Sequence, residues 1–411
     1  MKMITRFSLY GFLKNFDFSK PFIILFYLSL GLNYFKIGIL VAFLNICINI
    51  MEIPSGAFAD LYGRKTSMII SLSSYFIAFA VFSISNSLYP LFIALFFYSI
   101  GEAFRTGTHK AIIFDWLKSN NRLFEKTKIY GYTRSWSNYG SAISVLLAAL
   151  IVILTNNFRL VFLFSMIPAL FGIWNMICYP NYLDRRQQTT ITISQILKHT
   201  KDSIIKAVKH SDIKILIIQN MSFEGCFDVS KDYLQPILQT QALMLTSYIA
   251  LPEKQNTALV VGIVYFILHM VSAASSKNSY KFASKFSTKR NAIIFLIFLG
   301  SLLVFVSSIS IFFKIFIISI ICYSLYFLIQ NLWVPILVAQ YDDFANSSEQ
   351  ATILSIASQA KTIGIAILAP ITGLLADNLG IQFSLLLLSI ILIILGLYST
   401  SKNKLHNVIT K

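Results

Sequence analysis

The sequence predicts an all-α integral membrane protein with 12 transmembrane helices, arranged as two pseudo-symmetric six-helix bundles. Three observations predict it: the composition, a series of apolar runs, and the placement of the basic residues. Of 411 residues, 56% are hydrophobic and 12% are charged, and the mean hydropathy is +0.70. Soluble domains carry roughly 25% charged residues. The composition therefore excludes a soluble or disordered chain.

The apolar runs define the helices, because about 20 apolar residues are needed to cross the hydrocarbon core. The first six are predicted at 17–33, 37–59, 67–85, 89–117, 129–154 and 159–180. The second six are predicted at 213–243, 256–276, 291–312, 315–340, 349–375 and 381–400. Polar residues interrupt the first and the seventh predicted helices. The predicted domains are therefore a bundle over 1–180, a polar cytoplasmic loop over 181–212, and a second bundle over 213–411.

The basic residues indicate the orientation of the chain. With the amino terminus inside, 25 of the 34 Lys and Arg residues lie on the cytoplasmic side, four lie outside and five lie within spans. An excess of Lys and Arg in cytoplasmic loops is typical of multi-pass membrane proteins. We therefore expect both termini in the cytoplasm and a location in the cytoplasmic (inner) membrane. The net charge of +17 belongs to these loops, so no nucleic acid partner is expected.

The turn between the second and third predicted helices carries glycines and charges at fixed spacing. The segment GAFADLYGRK places Gly56, Asp60, Gly63, Arg64 and Lys65 at the inner face. Gly56 allows close helix approach, Gly63 allows a tight turn, and Asp60 can pair with the cations in one conformation and release them in another. This pattern resembles the signature loop of the Major Facilitator Superfamily, GxxxDxxGRK. The resemblance implies a secondary transporter that works by alternating access, with these five residues as its gating loop.

Two further segments support the resemblance, and one departs from it. Residues 101–115 are similar to the fourth helix of bacterial members, and Gly373, Asp377 and Gly380 repeat the GxxADxxG spacing at the outer end of helix eleven. Inverted repeats would place a copy of the inner signature loop at the outer face of the membrane. Antiporters of the superfamily usually carry a motif rich in Gly and Pro in helix five. Residues 140–149 contain small residues but no proline, which argues against drug export by proton exchange.

Ionisable residues within the spans form two stripes, each on one helix face. Helix four carries Glu102, Arg105 and His109, and helix seven carries Glu224, Asp228 and Lys231. A charge at bilayer depth costs about 2.5–3.5 kcal/mol on insertion scales, so it faces a cavity or a partner. We expect pairs within one turn, and we predict Glu102, Glu224 or Asp228 as the acid that carries the coupled proton. The alternative is that these residues form salt bridges needed only for assembly.

Further polar and aromatic side chains on helices four, five, seven, ten and eleven are predicted to contact the solute. They are Arg105, Arg134, Asn138, Lys231, Tyr323, Tyr326, Gln330 and Gln359, with Lys361 near the last. Aromatic and amide groups at cavity depth suit a solute with an apolar body and a few polar groups. In a chain with 15% aromatic residues, a tyrosine stripe is equally typical of packing.

The sequence contains no GxxxxGK[ST] loop, no HExxH motif and no His/Cys cluster, so neither ATP, a metal nor a cofactor is expected. The predicted partners are a small-molecule solute, protons and the lipid bilayer, and one chain is expected to suffice as a monomer. The predicted function is proton-coupled efflux of a small amphipathic or organic-ion solute, with proton-coupled uptake of a metabolite as the alternative.

Two other classes of protein remain as alternatives. A membrane-embedded transferase would need an exposed acid or His and sizeable outer loops, whereas the predicted outer loops are short. A transporter-like sensor that moves nothing need not keep an intact gating loop. We therefore predict a transporter without catalytic residues rather than an enzyme.

Overall fold

The computed structural model describes residues 2–122, 125–184, 211–245, 252–344 and 350–409. Within these ranges the regular elements are α-helices and a short 3-10 helix at Asn181–Leu183. The first eight are α1 (Met3–Asn15), α2 (Ile23–Ser29), α3 (Tyr34–Tyr62), α4 (Arg64–Ile84), α5 (Leu88–Arg105), α6 (Thr108–Ser119), α7 (Lys126–Thr155) and α8 (Leu160–Ile177). The others are α9 (Ser211–Asp232), α10 (Leu234–Leu245), α11 (Glu253–Ala283), α12 (Lys289–Phe312), α13 (Phe316–Phe344), α14 (Gln350–Leu379) and α15 (Ile381–Ile409).

Ten helical segments in the described ranges are long and apolar enough to cross a membrane. They coincide with ten of the predicted spans, and α5 and α6 together form one of them. The remaining two predictions, at 17–33 and 213–243, correspond to helix pairs with a break, α1–α2 and α9–α10. The prediction of an all-helical multi-pass membrane protein is confirmed, and the count of twelve spans stays a prediction.

The predicted bounds of the first helix are wrong. Helix α1 begins at Met3, and the chain leaves the helical conformation after Asn15. In the break, the Asp17 carboxylate accepts hydrogen bonds from the Ser19 amide at 2.9 Å and the Ser19 hydroxyl at 2.6 Å. This local turn competes with helix formation, and Pro21 has no amide to donate. The helical periodicity of the flanking residues does not reveal such a turn.

The fourth predicted span is also broken. A single helix over 89–117 was expected, but α5 ends at Arg105 and α6 begins at Thr108. Gly107 lies between them with a φ of +77°, a conformation that favours glycine. The helical spacing that places Glu102 and His109 on one face therefore does not hold across this break.

The described residues form two compact units. One comprises those within Met1–Gly31, Phe43–Leu197 and Leu245–His269, and the other those within Leu32–Ala42, Lys198–Met244 and Met270–Lys411. Two short segments are thus grouped with the opposite half of the sequence. The predicted central loop lies mostly in 185–210, outside the described residues, and the predicted domain bounds stay a prediction.

Small residues allow close helix packing inside each unit. In the first unit, a Cβ on Gly140 of α7 would lie 2.4 Å from the Phe12 carbonyl oxygen of α1. In the second unit, a Cβ on Gly364 of α14 would lie 2.9 Å from the Met221 carbonyl oxygen of α9. Small residues at such contacts are typical of membrane helices. In the second unit, this contact brings together the two helices that carry Glu224 and Lys361.

Candidate functional site

A cluster of five polar side chains joins α9, α13 and α14 in the second unit. We call it the Lys361 cluster, and it consists of Glu224, Asp228, Lys231, Gln330 and Lys361. The Lys361 Nζ lies 3.0 Å from Glu224 Oε2 and 2.6 Å from Asp228 Oδ2. Lys231 forms an ion pair with Asp228 from the same helix. Gln330 donates a hydrogen bond to Glu224 Oε1 at 3.1 Å. Four of the five were predicted as site residues.

The backbone contact of α9 and α14 fixes this cluster. Glu224, Asp228 and Lys231 lie on one face of α9 because they are spaced by four and three residues. One turn away, the Asn220 side-chain amide donates to the Ala357 carbonyl oxygen at 2.7 Å. Together with the close approach at Gly364, this bond holds the acidic face of α9 against the helix that carries Lys361.

The Lys361 cluster holds two carboxylates and two ammonium groups in a mostly buried place. Glu224 is 5% exposed, and the side chains of Asp228 and Lys361 are 15% and 28% exposed. Removing one partner from a buried ion pair leaves an uncompensated charge, which is strongly unfavourable. Lys361 therefore has two carboxylate partners, both on α9.

The two predicted tyrosines of α13 have packing contacts in the second unit. Tyr326 is 1% exposed, and its ring contacts those of Phe223 and Phe227 at centroid distances of 5.8 and 5.2 Å. Tyr323 is also buried and donates to the Ser230 carbonyl oxygen at 3.0 Å. Gln359 is half-buried on α14, two residues before Lys361. Solute contact by these three residues stays a prediction.

In the first unit, Glu102 forms an ion pair with Arg105, as its spacing predicts. The Arg105 Nε also lies 3.3 Å from the Tyr75 hydroxyl of α4. His109, beyond the break, contacts other groups: its Nε2 lies 3.2 Å from the Tyr179 hydroxyl. Its ring stacks on Tyr10 at a centroid distance of 3.8 Å. The predicted stripe therefore divides into an ion pair and a separate aromatic group.

Arg134 and Asn138 lie exposed on α7, and no hydrogen bond joins either to another described residue. Val145 and Val152 share their helix face and are buried, at 2% and 0% exposure. This face of α7 is therefore covered near its carboxyl end and open near Arg134. The structure does not bring these two residues together with the other predicted site residues of the first unit.

The signature loop forms a network within the first unit. Gly63 has a φ of +103°, so the expected tight turn is confirmed. Arg64 forms a close ion pair with Asp115 on α6 and lies 4.0 Å from Asp60. Gly56 has no heavy atom within 4 Å of an added Cβ. The close helix approach expected at Gly56 is therefore absent among the described residues of this conformation.

The residue after Arg64 extends the network to the segment following α8. The Lys65 Nζ donates to the Tyr179 carbonyl oxygen at 2.7 Å and to Asn181 Oδ1 at 3.0 Å. The Asp184 carboxylate accepts the Lys65 amide at 2.9 Å and the Thr66 amide at 3.3 Å, at the start of α4. A carboxylate is favourable there because amide groups at a helix start lack partners. The sequence gives no local signal for Asp184.

The segment of α14 that repeats the spacing of this loop makes a similar contact in the second unit. The Asp377 carboxylate accepts the Tyr34 and Phe35 amides of α3, each at 2.8 Å. A Cβ on Gly373 would lie 2.3 Å from the Tyr34 carbonyl oxygen, so only glycine fits there. Gly380 has a φ of +100°, close to that of Gly63 in the first loop.

The described residues thus form a multi-pass membrane protein with ion pairs inside its apolar helices, and the comparisons with known proteins point to a transporter rather than an enzyme. The model of the Major Facilitator Superfamily matches residues 7–369, and the chain belongs to this superfamily. It is 23% identical over 231 residues to the uncharacterized MFS-type transporter YxaM of Bacillus subtilis (strain 168), which is 53% of this chain and 54% of that one. The chain thus spans about half the length of the curated relative it matches.

Solved structures of transporters share the fold at low sequence identity. A variant of the nucleoside transporter NupG matches with a TM-score of 0.78 and 13% identity, over 97% of this chain and 99% of that one. A variant of the peptide transporter POT in complex with sulfate matches with a TM-score of 0.77 and 12% identity, over 97% and 94%. A D-xylose-proton symporter matches with a TM-score of 0.68 and 12% identity, over 97% and 96%.

Proposed function

We propose that this protein is a proton-coupled secondary transporter that moves a small organic-ion solute across the cytoplasmic membrane by alternating access. The observation that carries the proposal is the position of Lys361 between two carboxylates, 3.0 Å from Glu224 and 2.6 Å from Asp228. An intramembrane ionisable group with such partners is typical of a coupling site.

The coupling follows from competition for one ammonium group. When both acids are ionised, Lys361 joins α14 to α9 through two ion pairs. A proton on Glu224 removes one of the two attractions, and Lys361 then pairs with Asp228 alone. Glu102 is the second acid proposed for coupling, and its ion pair with Arg105 would be the corresponding element in the first unit. The two protonation states thus favour different conformations.

The proposed direction is efflux, with the gating loop of Gly56, Asp60, Gly63, Arg64 and Lys65 opening and closing the inner side. Uptake is the second candidate, and one observation favours it: a structural neighbour is named a D-xylose-proton symporter. The ion pairs in both units suit a solute with charged groups more than a wholly apolar one. We further propose that both termini lie in the cytoplasm and that one chain transports as a monomer.

A flux assay with the purified protein in proteoliposomes tests the proposal. The assay applies an inward or outward proton gradient and measures flux of nucleosides, peptides, sugars and organic acids. Proton-driven flux of at least one solute is the expected result, and the sign of the gradient that drives accumulation gives the direction. Empty liposomes are the control. Absence of flux across the whole panel under either gradient would overturn the proposal.

A further inference from the structure

A small cavity in the second unit lies between the ends of three helices. Its volume is about 10 Å³, and its lining residues are Asp212, Ile215, Leu216, Gln219, Arg290 and Gln340. The first four lie in the first half of α9, Arg290 lies at the start of α12, and Gln340 lies near the end of α13. The cavity is therefore at the end of the unit where α9 and α12 begin and α13 ends.

Three buried polar atoms of the lining residues have no hydrogen-bond partner among the residues that the structure describes. They are Gln219 Oε1, Arg290 Nη2 and Gln340 Oε1. Gln219 and Gln340 are 1% and 4% exposed, and the side chain of Arg290 is 11% exposed. A buried polar atom without a partner is unfavourable, and three of them around one cavity indicate that the cavity binds a polar molecule.

Other atoms of two of these side chains have partners of their own. Gln219 Nε2 donates to the Ser399 hydroxyl of α15 at 2.9 Å, and Arg290 Nη1 lies 3.6 Å from Asp212 Oδ1. These contacts keep Gln219 and Arg290 in place. Gln219 Oε1 and Arg290 Nη2 therefore remain as the atoms that can bind a molecule in the cavity.

The size and the chemistry of the site select the bound molecule. One water needs about 10–15 Å³ of such space and two to four polar partners, so the cavity has room for one water and for nothing larger. A guanidinium group only donates hydrogen bonds, and an amide oxygen only accepts them. The guanidinium of Arg290 would repel a cation, and the two amide oxygens would repel an anion. The ion pair of Arg290 with Asp212 is already balanced in charge, which also favours a neutral molecule.

We infer that this cavity is a binding site for one ordered water molecule that joins α9, α12 and α13. The water accepts a hydrogen bond from Arg290 Nη2 and donates one each to Gln219 Oε1 and Gln340 Oε1. All three buried atoms then have a partner. Asp212 binds the other terminal nitrogen of Arg290 and does not contact the water. This inference is independent of the solute, the direction and the coupling proposed above.

The water site positions two helices of the Lys361 cluster. Gln219 precedes Glu224 on α9, and Gln340 follows Gln330 on α13. The hydrogen bond of Gln330 to Glu224, at 3.1 Å, thus lies on the same pair of helices that the water joins nearer their ends. A direct contact accompanies it, since the Lys289 Nζ of α12 donates to a carbonyl oxygen of α13 at 3.1 Å. The site therefore helps to fix α9 and α13 relative to each other.

A density map of the purified full-length protein, at a resolution that shows ordered water, tests the site directly. We expect one peak at about 2.7–3.2 Å from Arg290 Nη2, Gln219 Oε1 and Gln340 Oε1. Absence of a peak would overturn the inference. A peak at the oxygen distances of about 2.0–2.6 Å that are typical of a metal ion would also overturn it.

A double-mutant cycle tests whether the two glutamines act through one molecule. Gln219→Met and Gln340→Met each keep the length of the side chain but remove a hydrogen-bond partner of the water. Each should lower the thermal unfolding midpoint in detergent. The loss in the double variant should be smaller than the sum of the two single losses, because both substitutions remove the same water. Additive losses would overturn the inference.

The control cycle combines Gln340→Met with Gln382→Met. Gln382 lies at the start of α15 in the same unit, and its amide donates to the Leu379 carbonyl oxygen at 2.9 Å. These two substitutions should be additive, because they share no partner. Non-additivity of the same size in this control would show that the coupling is not specific to the cavity, which would also overturn the inference.

A third measurement uses the wild type alone and tests for an ion in place of water. Sodium is replaced by choline and chloride by gluconate at constant ionic strength, and the unfolding midpoint is measured. We expect an unchanged midpoint, since a water site does not depend on either ion. A lower midpoint after either replacement, absent in Gln340→Met, would identify the bound species as that ion and would overturn the inference.

Discussion

Lys361 and Glu224 lie 137 positions apart in the chain, and their charged groups are 3.0 Å apart in the structure. Glu224 has its other oxygen bound by Gln330, so both carboxylate oxygens have defined partners. This relationship connects three helices of the second unit through one side chain.

Removal of the Lys361 charge should therefore lower the stability of the protein. Lys361→Gln leaves Glu224 and Asp228 with one ammonium between them, and we expect a loss of about 3 kcal/mol in the free energy of unfolding. Lys231→Gln removes the same charge but leaves Lys361 in place, and the side chain of Lys231 is 40% exposed. We expect a clearly smaller loss in this variant. Denaturant unfolding in detergent measures both, and equal losses would contradict the central position of Lys361.

The two acids near Arg64 should respond differently to removal of their charge. Asp115 is the close partner of Arg64, so Asp115→Asn should lower the free energy of unfolding by about 1–2 kcal/mol. The side chain of Asp60 is 52% exposed and lies 4.0 Å away, so Asp60→Asn should change it by less than about 0.5 kcal/mol. Asp60→Asn should nevertheless reduce solute flux. Wild-type flux in that variant would argue against a gating role for Asp60.

Two glycines of the signature loop form a matched pair for alanine substitution. Gly63 has a φ of +103°, and an added Cβ would meet the Asp184 carboxylate, so Gly63→Ala should cost about 1–3 kcal/mol. An added Cβ on Gly56 meets nothing within 4 Å, and Gly56→Ala should leave thermal stability unchanged or slightly higher. If another helix packs against Gly56 in a different conformation of the protein, solute flux in Gly56→Ala should fall. Equal thermal stability of the two variants would contradict the turn geometry.

The bonds of Asp377 to the start of α3 give a further prediction. Asp377→Asn keeps one acceptor oxygen but loses the negative charge beside two amide groups, at a cost of about 1 kcal/mol. Hydrogen exchange of the Tyr34 and Phe35 amides should accelerate in this variant, while exchange in α12 of the same unit stays unchanged. Unaltered protection of both amides would show that the carboxylate contributes little there.

The sequence predicts those features that depend on local chain properties. Long apolar runs predict ten of the helices, and the Gly63 turn follows from a glycine between a helix and two cations. The ion pairs of Glu102 with Arg105 and of Asp228 with Lys231 follow from helical spacing. Each of these depends on residues within about one or two turns of one another.

Features that depend on tertiary contacts could not be predicted in the same way. Lys361 has no acid within reach on its own helix, so its partners on α9 depend on the contact at Gly364. The break after Asn15 depends on a turn at Asp17, and a polar residue at that place is equally compatible with a helix start. The first helix was for this reason predicted to begin at residue 17, whereas α1 begins at Met3.

The most direct test of the central claim compares proton coupling in the wild type and in Glu224→Gln. Solute exchange and gradient-driven flux are measured in the same proteoliposomes, with Asp212→Asn as the matched control, because Asp212 is an α9 acid that pairs with Arg290 at 3.6 Å. We predict that Glu224→Gln exchanges solute but no longer responds to the proton gradient, while the control responds as the wild type does. A wild-type response to the gradient in Glu224→Gln would contradict it.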